Sequence, residues 1–192
     1  MNNMDMLVKH MLDLHDAIEE SYEKARYMPC LVLLYSGIDV AASLEPKLGT
    51  GVGDRFKKWV NRYMLKSGSL KCTASDLCGA RCAVVHTFTP ESDLSKGGKA
   101  RVIGYAFGVA ELDKLDKASN IAAQSRQVNV HARSLIDAFY EGFGTYLEEV
   151  RGDRVRLQEI ERTAGLWAVS MNPKTIDDYL EIQKRLMGPQ TP

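Results

Sequence analysis

The stretch CLVLLYSGIDVAASLE, residues 30–45, is apolar nearly all the way round a helical wheel, with Asp39 its one charged residue before Glu45. A helix without a polar face belongs in the middle of a fold, so other helices have to surround it. Pro29 stands where proline suits the first turn of that helix. Pro46 and the glycines at 49, 51 and 53 end it in a loop. A chain of 192 residues is long enough to bury such a core as one domain without disulfide or metal staples.

The flanking segments supply the surrounding helices. Met4, Leu7, Val8, Met11, Leu12, Leu14, Ile18 and Tyr22 recur at three- and four-residue steps, which predicts an amphipathic helix over 3–26. DRFKKWVNRYMLKSGSLK (54–71) predicts a helix with an apolar stripe of Phe56, Trp59, Val60, Tyr63 and Met64. Thr73, three residues ahead of Asp76, is a near match to the reciprocal capping box and opens a helix over 74–88. Residues 132–150, 153–164 and 173–187 carry helical patterns, and RGD at 151–153 reads as a helix-end turn. RVIGYAFGV (101–109) and QVNVH (127–131) read as short strands, consistent with one small β-hairpin. The expected fold class is therefore all-α, a helical bundle in a single domain over 1–192. Its core is 3–150, and 151–192 is a helical extension.

Formal net charge is zero, which removes the global signature of a nucleic-acid coat but leaves room for a local basic face. The longest apolar run, Cys30–Tyr35, is far short of the ~20 residues a membrane span requires, so no membrane partner is expected. The first twenty residues lack the basic start and unbroken apolar stretch of a secretory signal. Four cysteines in such a chain point to reduced thiols and a cytoplasmic location.

The helix over 74–88 gathers the chemistry. Cys78, Cys82 and His86 step by four residues along one face, and Cys72 precedes them. Ligands on three successive turns would span about 12 Å, too far for one tetrahedral zinc with bonds of about 2.0–2.3 Å. No metal and no cofactor is expected. Arg81 and His86, five residues apart, diverge by about 140° round the same helix. Asp39 is the acid most in need of a partner, since an unpaired buried charge is expensive, and Arg81 is its candidate. Glu91 and Asp93 are candidates to brace the site.

Arg81, four intervening residues, then His86 resembles the R-x(4–6)-H signature of the HEPN (higher eukaryotes and prokaryotes nucleotide-binding) superfamily. LYSGIDVAASL and ARCAVVHTFTPESDLSKGGKAR are also similar to a bacterial family of that fold, and the resemblance covers residues 5–110. It implies an HEPN-like helical bundle that pairs as a homodimer, so that two such motifs meet across a two-fold axis. It further implies a metal-independent endoribonuclease or RNA-binding protein of defence or toxin–antitoxin type, with a cognate antitoxin as a further partner. In that chemistry His86 is base or acid and Arg81 clamps the phosphate. Two positions depart from the family pattern. Cys82 follows the arginine where a polar residue is usual, and Phe88 stands where some active toxins carry tyrosine.

Two alternatives stay open at this level. In the first, Arg81 merely pairs with an acid such as Asp39 and His86 is a satisfied core histidine. In the second, the chain is a non-catalytic helical interaction or regulatory module. Arg55, Lys57, Lys58 and Arg62 on the basic helix, with Lys96, Lys99 and Arg101 in SKGGKAR, are the RNA-binding candidates. A solvated face and a plain surface loop are the bland readings of the same residues. The apolar faces of helices 30–45 and 74–88 exceed what one core layer needs, which fits a helix-to-helix dimer seam.

Overall fold

The all-apolar helix lies where its pattern demands. In the computed structural model, which describes residues 3–45, 48–123 and 126–164, helix α2 (Tyr27–Ser43) is packed on by four other helices. These are α1 (Asn3–Glu23), α3 (Val52–Trp59), α4 (Ala74–Thr87) and α7 (Ala132–Arg151). Cys30, Leu34, Tyr35, Ile38 and Ala41 of α2 are wholly buried. Much of its apolar surface is thus consumed within the chain, while Val32, Leu33 and Val40 are only partly buried. Helix α1 turns into α2 through Ala25, whose φ of 53° lies in the left-handed region. Arg133 of α7 grips Glu19 of α1 with two parallel hydrogen bonds of 2.6 and 2.7 Å.

Helix α3 continues as a π-helical turn over Val60–Met64, closed by the Leu65 amide donating to the Val60 carbonyl at 3.0 Å. The wider turn keeps Val60, Tyr63 and Met64 all facing inward, against α7. Trp59, Tyr63 and Tyr146 pack there, the two tyrosines edge to face at 5.5 Å. Gly142 permits the approach of α7, because a Cβ there would lie 2.9 Å from the Tyr63 carbonyl oxygen, a backbone atom that cannot swing aside. Gly142→Ala is therefore expected to destabilise the fold by about 1–3 kcal/mol, read as a lower urea midpoint.

The β element differs from the expectation. Strands β1 (Val102–Ala106) and β2 (Gln127–His131) are parallel, in register from Val102 opposite Gln127 to Ala106 opposite His131. They cannot form a hairpin, because parallel strands need a crossover connection, and helix α6 (Leu112–Ala123) supplies it. Polar side chains hold the crossover down. Asn129 of β2 donates to Asp116 at 2.9 Å and to Ser119 at 3.0 Å, and Gln127 donates to Ser119 at 2.9 Å. This cluster lies over Gly104, where a Cβ would meet the Asn129 side-chain Oδ1 at 2.2 Å.

Between α4 and β1 lies the short helix α5 (Asp93–Lys96). After α7, the RGD segment is a helix-end turn, with Asp153 capping α8 (Arg154–Ala164) through its Oδ1. Arg156 of α8 bonds to Glu45 and reaches the Tyr63 hydroxyl. The helix expected over 173–187 and the rest of the C-terminal extension beyond 164 lie outside the described residues. Among those described, no helix is long and apolar enough to cross a membrane. The coarse expectation of a mainly helical chain with a minor β element holds.

Candidate functional site

Helix α4 carries the site, and its N-terminus is built as the sequence foretells. Thr73 Oγ1 accepts from the Asp76 amide at 3.2 Å, and Asp76 Oδ2 accepts from the Thr73 amide at 2.9 Å. Asp76 also collects Arg101. Its Oδ1 accepts the Arg101 amide at 2.7 Å, and Oδ2 accepts Nη2 at 2.7 Å and Nε at 3.2 Å. Burial pushes this carboxyl's pKa up, but the bonds from Arg101 and the Thr73 amide outweigh burial and hold it below the usual carboxylate value.

One and a half turns further on, Arg81 Nε donates to Asp39 Oδ2 of α2 at 2.6 Å. Arg81 exposes 17% of its side chain and Asp39 22%. Burial raises the Asp39 pKa, against the opposing pull of the Arg81 bond and charge and of positive charge on His86. Its Oδ1 is buried without a hydrogen-bond partner among the described residues. Burial works against the Arg81 charge as well, yet the bond to Asp39 leaves the guanidinium more basic than usual. Nη1 donates to Cys82 Sγ at 3.8 Å.

His86 occupies the last turn of α4 and is exposed. The helix then stops at Phe88, whose φ of 51° is left-handed and which is 65% exposed. A bulky residue in that conformation stores strain that glycine would avoid. The Arg81–Asp39 pairing is therefore present, while the idea of His86 as a core histidine is overturned by its exposure. Among the described residues no hydrogen bond joins His86 to Arg81 or Asp39. What links the three is Asp39, bonded to one and within the electrostatic reach of the other.

The bracing acids do not join this group. Glu91 is exposed and lines a different cleft, and Asp93 opens α5 facing solvent. Neither bonds to Arg81 or His86 among the described residues, because the chain after Phe88 turns back along α4 and packs near Gly79. The basic helix is partly neutralised by its own surroundings. Lys58 pairs with Asp54 at 3.1 Å, and Arg62 pairs with Glu149 at 2.8 Å. Arg55 and Lys57 are half-buried, and Arg101 is committed to Asp76. Lys96 and Lys99 remain exposed.

Arg126 is the functional candidate that sequence reasoning missed. It stands beside Lys96, Lys99 and Arg101 around one cleft. Only the parallel strand pairing, with the Val102 amide donating to the Arg126 carbonyl at 2.9 Å, brings it there. Cys72 and Cys78 are buried, which raises both thiols, Cys72 to about 11. Thiolates are the metal-binding form, so these two sites are unfavourable for it. Among the described residues no group of three or more His, Cys, Asp or Glu side chains is arranged to hold a metal ion. No protein-family model matches the chain, and no curated protein or solved structure matches it either.

Proposed function

We propose that the chain is an HEPN-like, metal-independent endoribonuclease or RNA-binding protein. Its site would form in a homodimer from Arg81 and His86, with Asp39 in support. The observation that carries the reading is the division of labour along α4. Arg81 is clamped through Nε by Asp39, leaving Nη2 without a hydrogen bond among the described residues, while His86 projects into solvent from the final turn.

The chemistry balances without a metal. His86 takes the proton of a ribose 2′-hydroxyl as that oxygen attacks the adjacent phosphorus. Arg81 Nη2 stabilises the charge building on the phosphoryl oxygens. The 5′-oxygen leaves with a proton from solvent water, giving a 2′,3′-cyclic phosphate and a 5′-hydroxyl. The setting we favour is cytoplasmic defence or a toxin–antitoxin pair, with a cognate antitoxin as the second protein.

A second reading is favoured by one specific feature, the small exposure of Arg81. A guanidinium so enclosed suits a structural tie between α2 and α4 in a non-catalytic interaction module, with exposed Phe88 in the binding face. Incubation of single-stranded RNA with excess chelator separates the two. The catalytic reading expects cleavage by wild type with cyclic phosphate ends and none by His86→Ala. Equal behaviour of both proteins would remove it.

A further inference from the structure

A cleft of about 500 Å³ opens between the SKGGKAR loop and the start of β1, around the N-terminal end of α4. Six side chains give it its charge: Lys96, Lys99, Arg101, Arg126, Asp76 and Glu91. The loop is folded to aim its lysines at one mouth. The Lys99 and Ala100 amides both donate to the Leu94 carbonyl, at 2.8 and 3.2 Å, and Gly98 takes the left-handed φ of 68° that the reversal needs.

The charges are not equivalent. Asp76 is 2% exposed and saturated by Arg101 and the Thr73 amide, so this pair cancels in place and forms the cleft wall. Lys96, Lys99 and Arg126 are exposed, and none has a carboxylate partner among the described residues. Among the described residues, three cations without a carboxylate partner therefore share the cleft with one carboxylate, Glu91. Like charges gathered in a concave site repel each other and concentrate anions. The rest of the lining is Ser95, Gly98, Ala100 and Val102, and one valine makes no greasy wall for a flat apolar ligand. Volume, charge and polarity together fit phosphoryl groups, with the Arg126 fork suited to bidentate contact.

We propose that this cleft is a phosphate-binding subsite in which Lys96, Lys99 and Arg126 hold phosphoryl groups of an RNA strand or a free nucleotide, with Arg101 positioned by Asp76 as its wall. It is separate from the cleavage centre, since Asp76 and His86 are ten residues apart on α4, about 15 Å along the axis. The inference rests on the proposed function only in taking RNA as one source of the phosphates.

The test uses the full chain and fluorescence anisotropy of a labelled single-stranded RNA across a salt series. Lys99→Gln with Arg126→Gln is expected to weaken binding about tenfold or more and to flatten the log–log salt slope by about 1.4. Melting should change little, because both side chains are exposed and neither has a carboxylate partner among the described residues. Lys66→Gln with Lys117→Gln removes the same charge outside the cleft and should bind nearly as wild type. Equal loss in both double variants, or none in either, overturns the proposal. Competition identifies the source. Displacement by millimolar adenosine monophosphate or inorganic phosphate indicates a free-phosphate ligand, and displacement by unlabelled RNA alone indicates the strand. If wild type fails to bind RNA, a melting temperature raised by adenosine monophosphate in wild type but not in the cleft variant sustains the subsite and sinks the RNA reading. No shift in either protein sinks both.

Discussion

His86→Ala is expected to lower RNA cleavage in chelator about 10²–10⁴-fold, the range a positioned acid–base group contributes. The fold should not register the change. His86 is exposed on the last turn of α4 and makes no hydrogen bond that its removal would orphan among the described residues, so melting should stay within about 0.5 kcal/mol of wild type. That combination distinguishes a chemical role from a structural one. Arg81→Ala makes a poorer first experiment, because it would leave Asp39 half-buried with neither oxygen bonded. Arg81→Lys keeps the charge but loses the Nε contact, so activity should fall with less damage to stability.

Asp76→Ala is expected to have the largest effect on stability. The carboxylate is buried, caps α4, and accepts every bond that fastens Arg101 and hence the start of β1 to that helix. Its loss removes half of the capping box and leaves the Thr73 and Arg101 amides unpaired. Breaking a buried pair costs about 3–5 kcal/mol, and Arg101 is 40% exposed, which puts the expected loss at about 3 kcal/mol. For a chain of this length the melting temperature should fall by about 6–12 °C. Asp76→Asn retains an acceptor for the cap and should lose less. The pH dependence follows from the direction of the shift. Asp76 is held below its unfolded value near 3.9, so its contribution is full above that value and disappears as pH falls through the folded pKa. In acid titrations of stability, Asp76→Ala should therefore lack part of the low-pH loss that wild type shows.

The parts of the molecule readable from sequence are those governed by local rules. The all-apolar pattern of residues 30–45 placed α2 at the centre. The Thr73–Asp76 spacing placed the start of α4, and the expense of a buried charge paired Asp39 with Arg81. The misreadings come from long-range pairing. Two short β-like runs carry no signal of their relative direction, so the sequence fits a hairpin where the structure has a parallel crossover through α6. Arg126 joins Lys99 only through that crossover. Helical spacing cannot say how far along α4 the core extends, which is why His86 could be taken for an interior residue. The π-helical turn at Val60–Met64 keeps apolar residues at nearly helical steps, so its extra residue left no mark in the pattern.

The central claim is a site shared between two copies of the chain, and mixing two impaired proteins tests it most directly. Arg81→Lys and His86→Ala are each purified, combined in equal amounts, exchanged through dissociation and assayed in chelator. A composite site predicts that the mixed dimer holds one intact pair, Arg81 from one protomer with His86 from the other. Random pairing then restores about a quarter of wild-type cleavage. A mixture no more active than its two components would contradict the account.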